Sequence, residues 1–318
     1  MIKAAGGEMM RYRHLFGPVP SRRLGVSLGI DLIPLKTCSL NCIYCECGET
    51  NNCTLERKEY IAVAEVYAEL KDYLSKNPQL DFITFAGSGE PTLHSGLGNV
   101  VNFLKKNFPA YKLCLLTNST LLNDKTVRDQ INPIDLIVPS LDTAREECFK
   151  RLNRPHRDLQ CEQIIDSLIK LRREYSGELC LEIFIAPGFN DKPEELSSLK
   201  SALEKIKPDR VQLGTLDRPG AEEWLEAADY QTMQDIASYL GNTEIIGKFK
   251  AGPGIRTFND SYSRQIFETL RRRPCTVADL KALLGLRPAE IQKYINHLLA
   301  QGKIEIEHRE RGAFLKIK

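Results

Sequence analysis

No stretch of this 318-residue chain reaches the roughly 18 consecutive apolar residues that a membrane-spanning helix needs, so a membrane protein is not expected. Met1 to Arg13 lack the apolar segment of a secretory signal, and a cytoplasmic location is the expectation. Low-complexity tracts are missing, and so are repeats beyond one short structural unit. Together with 42% hydrophobic and 27% charged residues, this excludes disordered, collagen-like and coiled-coil chains. Charge of one sign is also lacking, with 44 Lys and Arg against 42 Asp and Glu. That balance is uneven along the chain, because residues 261–318 hold 12 Lys and Arg against 6 Asp and Glu. What remains is a globular chain long enough for one core of about 200 to 250 residues and a small second module.

From Asp81 to about Leu213 one unit recurs, a short apolar run followed by an amphipathic stretch. Phe82–Phe85, Lys112–Leu116, Asp135–Pro139, Leu179–Ile185 and Arg210–Leu213 read as strands. Between them Leu97, Val100, Val101 and Leu104, then Ile164, Leu168 and Leu171, then Leu196, Leu199, Leu203 and Ile206 mark helix faces. An earlier strand near Val26–Ile33 and a helix with Val66, Leu70 and Leu74 add a first unit, with Pro34–Glu59 as a long loop. Six β/α units predict an α/β fold with a parallel sheet and helices outside it. Six is fewer than the eight of a closed barrel, so a partial (β/α)6 barrel is expected, with its functional residues after the strands. The predicted organisation is a tail over 1–14, the barrel over 15–247, a Gly-Pro linker over 248–260 and a second domain over 261–318.

In that second domain Tyr262–Leu270, Val277–Leu284 and Pro288–Leu299 read as helices, and Lys303–Lys318 as a β-hairpin around Arg311 and Gly312. This is the element order of a winged helix-turn-helix. Arg271 to Arg273, Lys293, Arg309 and Arg311 place positive charge near a helix and a wing, so nucleic-acid contact through 261–318 is one reading. A lid or protein-contact module is the other.

Ten cysteines in a chain without export signals are expected to be reduced, metal-bound or buried. Cys38, Cys42 and Cys45 form C-x3-C-x2-C in the loop after the first strand, where three thiolates can meet one cluster. Three ligands to a four-iron four-sulfur cluster leave one iron open for chemistry. Zinc held by the same three with Cys47 or Cys53 also fits the spacing. The loop, followed in order by polar residues at successive strand ends, resembles the radical S-adenosylmethionine superfamily.

That resemblance implies reductive cleavage of S-adenosylmethionine to a 5′-deoxyadenosyl radical, with Cys38, Cys42 and Cys45 as cluster ligands. Ala86-Gly87-Ser88-Gly89-Glu90-Pro91 stands where the family has a Gly-Gly-Glu motif, which assigns Gly89 and Glu90 to the methionine amino group. Ser88 replaces the first glycine, and the same stretch reads independently as a turn opening a helix at Pro91. Thr117 and Asn118 resemble the family's Thr-Asn-Gly, with Ser119 in place of glycine. Ser140 and Asp142 fall where relatives contact the cofactor's carboxylate or ribose, although Thr143-x-x-Glu146 also reads as a capping box that takes in Asp142. Tyr44 occupies the aromatic position beside the adenine, or is a packed loop aromatic.

Phe16-Gly-Pro-Val-Pro-Ser-Arg-Arg23, the cysteine loop through Gly48, Thr50 and Arg57, and Leu213-Gly-Thr-Leu-Asp-Arg-Pro219 are similar to the branch containing wyosine tRNA synthases, which modify a guanosine in tRNA. Residues 1–37 lack the further cysteines of that branch, so one cluster is expected, while Cys114 and Cys180 read as small core residues. Arg22 and Arg23 either hold an anionic substrate, balance the cluster's charge, or form a solvated pair. Asp217 and Arg218 at the barrel mouth are the choice for substrate contact, or a surface pair. The expectation is therefore an enzyme using one four-iron four-sulfur cluster and S-adenosylmethionine, fed by a low-potential ferredoxin or flavodoxin, acting on a substrate that includes RNA among its candidates. The alternative is an iron-sulfur or zinc regulator whose winged helix binds DNA. The Gly-Ser-Gly-Glu-Pro turn and the polar strand ends favour the enzyme.

Overall fold

Side chains alternate across a strand, and here the alternation sorts them onto two apolar faces with different neighbours. The computed structural model describes residues 12–21, 24–217, 220–241, 243–246, 266–267, 269–270, 274–284, 288–309 and 312–318. The chain divides into two units, Met1–Phe249 and Lys250–Lys318. In the first, the strands are β1 (Leu15–Ser21), β2 (Gly25–Ile30), the short β3 (Thr37–Cys38) and β4 (Asn52–Cys53), β5 (Phe82–Phe85), β6 (Lys112–Thr117), β7 (Leu136–Pro139), β8 (Glu178–Phe184), β9 (Arg210–Gly214) and β10 (Thr243–Ile246). Its helices are α1 (Val63–Leu74), α2 (Leu97–Asn107), α3 (Lys125–Ile131), α4 (Glu146–Leu152), α5 (Cys161–Glu174), α6 (Pro193–Ile206) and α7 (Tyr230–Leu240).

Eight strands form one sheet in the order β1-β2-β5-β6-β7-β8-β9-β10, with β1 antiparallel to β2 and every later neighbour parallel. Ile83, Leu113, Leu115, Ile137, Leu181 and Leu213 point to the helices and join Val66, Leu70, Leu104, Leu168 and Leu199 in the main core. The residues between them, Cys114, Leu136, Val138 and Cys180, form a separate inner cluster with Leu24, Phe82 and Leu116. The expected α/β partial barrel is thus present, with Cys114 and Cys180 as buried core residues.

The parallel strands number seven, not six, because β10 is added after α7. At four residues it is too short to announce itself by periodicity. β1 was hidden differently: its sequence LFGPVPS carries Gly17, Pro18 and Pro20, which read as breakers, yet an edge strand tolerates proline because half its N–H groups have no partner. Among the described residues no helix is long and apolar enough to cross a membrane.

The second unit contains α8 (Val277–Leu284), α9 (Pro288–Ala300) and an antiparallel hairpin of β11 (Ile304–Arg309) and β12 (Gly312–Ile317), close to the ranges read from the sequence. The linker 248–260, Arg271 to Arg273 and Arg311 lie outside the described residues. Ile266, Leu270, Leu280, Ile291, Ile295, Leu298, Ile304 and Leu315 form this unit's own core. A fragment spanning 261–318 should therefore unfold cooperatively on heating. Leu298→Ala should remove about 2 to 5 kcal/mol and abolish that transition in circular dichroism.

Candidate active site

Pro34–Glu59 leaves β2 at its C-terminal end and is pinned along its length by main-chain bonds. Asn41 and Ile43 donate to the carbonyls of Asn153 and Leu152 at 3.0 Å each, and Glu222 donates to the Ile43 carbonyl at 3.0 Å. The Asn41 side chain accepts from the Thr50 amide at 2.8 Å, which folds the loop back on itself. Cys38, Cys42 and Cys45 thereby face a cavity of about 250 Å³, whose opposite wall is the turn after β5 and the ends of β6 and β7. Tyr44, Gly89, Glu90, Thr117, Asn118 and Ser140 line the same cavity.

Gly89 is where the turn comes closest to the loop. A Cβ there would stand 1.9 Å from the Thr37 carbonyl oxygen and 2.5 Å from Ile33, so only glycine allows this approach. Ser88, at the position where a glycine was expected, uses its hydroxyl and its amide to donate to Asp31 at 2.5 and 3.0 Å. Glu90 is 2% exposed. Its Oε1 accepts from the Thr92 amide (3.0 Å), the Thr92 hydroxyl (2.6 Å) and the Thr117 hydroxyl (2.7 Å), and its Oε2 from the Asn118 amide (2.7 Å). Oε1 is saturated, whereas Oε2 holds one of these donors and keeps acceptor capacity. Burial nevertheless pushes the Glu90 carboxyl up.

The sequence left the role of Asp142 divided between cofactor contact and helix capping. It is buried behind the cavity, where its carboxylate accepts from the Tyr44 hydroxyl, from Asn153 Nδ2 at 2.6 Å and from the Phe184 amide at 2.9 Å. Burial pushes it up as well. The capping box does not form. Helix α4 begins after Arg145 with no side-chain cap, the Thr143 hydroxyl accepts from the Arg145 amide and donates to Glu195, and Glu146 accepts from the Cys161 amide.

Asn153 was not singled out from the sequence. It lies 111 residues from Cys42, so no local pattern marks its Nδ2, which donates to Cys42 Sγ at 3.4 Å. Asn118 Nδ2 does the same for Cys38 Sγ at 3.3 Å, and for the Ser39 hydroxyl at 2.9 Å. Tyr44 stacks on Phe184 with ring centroids 3.9 Å apart. Asp217 is half-buried after β9 and is not among the residues that line the cavity, and Arg22, Arg23 and Arg218 lie outside the described residues.

The thiols differ in charge preference. Burial, reinforced by Glu90, pushes Cys38 up to about 12, and burial with Asp142 raises Cys42. A hydrogen bond from Cys47 lowers Cys45 to about 6. Two buried thiols beside carboxylates resist ionisation until a cationic centre binds, and a bound metal deprotonates its thiol ligand outright. Among the described residues no three His, Cys, Asp or Glu stand close enough to hold a single ion. Cys53 is exposed and its thiol donates to the Ser39 carbonyl at 3.7 Å. The zinc geometry is therefore not present, while three thiols around one cavity suit a cluster that takes each on a different iron.

The radical SAM superfamily profile matches residues 32–199, more than half of the chain. The chain belongs to the radical SAM superfamily. Radical SAM proteins bind a four-iron four-sulfur cluster and S-adenosylmethionine, and these are its cofactors. A UPF0026 protein of Methanocaldococcus jannaschii is 31% identical over 95% of both chains. A Brachyspira hyodysenteriae protein named GTPase Obg is 35% identical over 94% of this chain, which spans only 44% of that protein. A radical SAM methyltransferase from Sphaerobacter thermophilus shares the fold, with a TM-score of 0.53 at 18% identity over 71% of this chain and 67% of that one. Because its Cβ would collide with main chain, Gly89→Ala should cost more than about 3 kcal/mol and lower the melting temperature by several degrees. An alanine variant as stable as the parent would show that the turn does not sit against Thr37.

Proposed function

We propose that this radical SAM protein is an enzyme whose cluster is ligated by Cys38, Cys42 and Cys45, and that its substrate is RNA. The observation that carries the first part is the cavity that gathers these three thiols with Gly89, Glu90, Thr117, Asn118 and Ser140, residues from four separate stretches of chain. Bound there, the cluster supplies the electron that splits the sulfonium of S-adenosylmethionine into methionine and a 5′-deoxyadenosyl radical. The electron comes from a low-potential ferredoxin or flavodoxin.

The chain's own residues bind and orient. Glu90 Oε2 is the acceptor for the methionine ammonium, and the partial loss of its proton affinity beside a cation favours the ionised carboxylate. Thr117 and Asn118 stand on either side of it, held by the carboxylate itself. Tyr44, clamped between the Phe184 ring and the Asp142 carboxylate, presents a flat surface to the adenine. Asn118 and Asn153, which donate to Cys38 Sγ and Cys42 Sγ, would hold two thiolate ligands of a bound cluster in place and tune its potential. The RNA reading draws on the sequence likeness to tRNA-modifying synthases and on the basic excess of residues 261–318, taken as a winged helix that recruits the substrate.

Anaerobic reconstitution with iron and sulfide, then dithionite, should yield 5′-deoxyadenosine, and bulk tRNA should increase it in a salt-sensitive way. Alanine at Cys38, Cys42 and Cys45 together should abolish the brown absorbance, whereas Cys47→Ala or Cys53→Ala should keep most of it. A cluster that survives the triple change sinks the ligand assignment. Glu90→Ala should weaken S-adenosylmethionine binding by about 1.5 to 3 kcal/mol, roughly ten- to a hundredfold, with the cluster retained. Unchanged affinity in a calorimetric titration would remove Glu90 from the cofactor site.

A further inference from the structure

Position 36, just ahead of the first cysteine, combines an unfavourable backbone with a charged side chain. Lys36 has a φ of 62°, in the left-handed region where glycine and asparagine are at ease and a long side chain is not. Its main chain is fixed there by the turn after β5 and by the returning arm of the loop. The Lys36 amide donates to the Ser88 carbonyl at 2.9 Å, and its carbonyl accepts from the Asn51 and Asn52 amides at 3.1 Å each. These are bonds that almost any residue would make, so none of them calls for lysine. A residue held in a conformation that does not suit it points to a use for its side chain.

The half-buried Lys36 side chain ends at the turn that follows Cys45. Gly48 donates its amide to the Cys45 carbonyl at 2.9 Å and closes that turn with a φ of 83°. A Cβ on Gly48 would stand 3.0 Å from Lys36 Nζ, so the bare glycine leaves the ammonium its place. Among the described residues that line the cavity, Lys36 is the only lysine, arginine or histidine, and Glu90 the only carboxylate. No hydrogen bond or ion pair ties down the Lys36 ammonium among the described residues. Its charge reaches the neighbouring thiol. Cys45, lowered chiefly by the hydrogen bond from Cys47, is lowered further by Lys36, against burial and Glu46, which raise it.

We propose that Lys36 sets the reduction potential of the cluster, its ammonium at the Cys45–Gly48 turn offsetting the negative charge that an arriving electron adds. The inference rests on the radical SAM reading, in which Cys38, Cys42 and Cys45 hold that cluster. Three thiolates already load the site with negative charge, Glu90 acts on Cys38 and Asp142 on Cys42, and each of these makes a further electron harder to add. One unpaired cation in the cavity wall works against all of them. In the step concerned, one electron passes from the external low-potential donor to the cluster, and no bond forms or breaks. Asn118 and Asn153 act on Cys38 and Cys42 as neutral N–H donors. Lys36 acts by charge, so its effect follows the sign of the side chain and not the geometry of a hydrogen bond.

The test is a redox titration of the reconstituted full chain without S-adenosylmethionine, using dithionite with viologen mediators and reading the bleaching of cluster absorbance and the paramagnetic signal of the reduced cluster. Lys36→Met removes the charge and keeps most of the side chain's length. At the potential that half-reduces the parent, the ratio of reduced to oxidised cluster should fall about tenfold in this variant, a midpoint about 59 mV lower for one electron. Lys36→Glu should lower the ratio about a hundredfold, and Lys36→Arg should restore it to within about twofold of the parent. Iron content and melting temperature should stay at parental values, because the main-chain bonds of position 36 remain, and Lys36→Gln gives the same readout should methionine disturb the loop. Equal midpoints in the parent and the uncharged variants overturn the proposal, and so does a shift that Lys36→Arg leaves unrestored, which reports loop structure instead of charge. Weaker S-adenosylmethionine binding by Lys36→Met with an unmoved midpoint also overturns it, and assigns the ammonium to the cofactor's carboxylate. A parent chain that takes up no cluster overturns the assignment of Cys38, Cys42 and Cys45 instead, and that failure is read from iron content before any potential is measured.

Discussion

Four hydrogen bonds converge on the Glu90 carboxylate in a place where burial favours its neutral form. They join the turn after β5 to the end of β6, and through Asn118 they reach Ser39 and Cys38 in the cysteine loop. Each bond to a charged acceptor contributes on the order of 1.5 to 3 kcal/mol, against several for withdrawing the carboxylate from water. The raised folded-state pKa means that burial prevails over these bonds. Its contribution to stability is fully present below the unfolded pKa and is lost as pH rises through the folded one. In the free protein burial therefore makes ionisation of this carboxylate costly. A cation delivered beside Oε2 offsets that cost, so the strain of the free protein becomes affinity for a ligand of one sign.

The same arrangement recurs on the other side of the cavity. Asp142 accepts from Asn153, whose Nδ2 also reaches Cys42, just as Glu90 fixes Asn118 and Asn118 reaches Cys38. A carboxylate and a carboxamide thus stand behind each of two cysteines. Burial, reinforced by the carboxylates, raises both thiols, so their protons would be displaced only by a bound metal centre. The carboxamides then become N–H donors to sulfur, one of the means by which a protein sets a cluster's potential. Cys45 has a different environment, where a hydrogen bond from Cys47 lowers its pKa to about 6.

How much of this was legible in the sequence follows from the range of each interaction. Cys38, Cys42 and Cys45 are close in sequence, and the strand ends at Glu90, Thr117, Asn118 and Ser140 are fixed once the β/α alternation is read, so the cavity wall could be listed before the fold was known. Asp142 could not be placed, because its partners Tyr44 and Phe184 lie 98 and 42 residues away. Thr143 and Glu146 have capping-box spacing, but tertiary partners at Glu195 and Cys161 take both side chains. β1 escaped because proline and glycine signal a break unless the strand is known to be an edge.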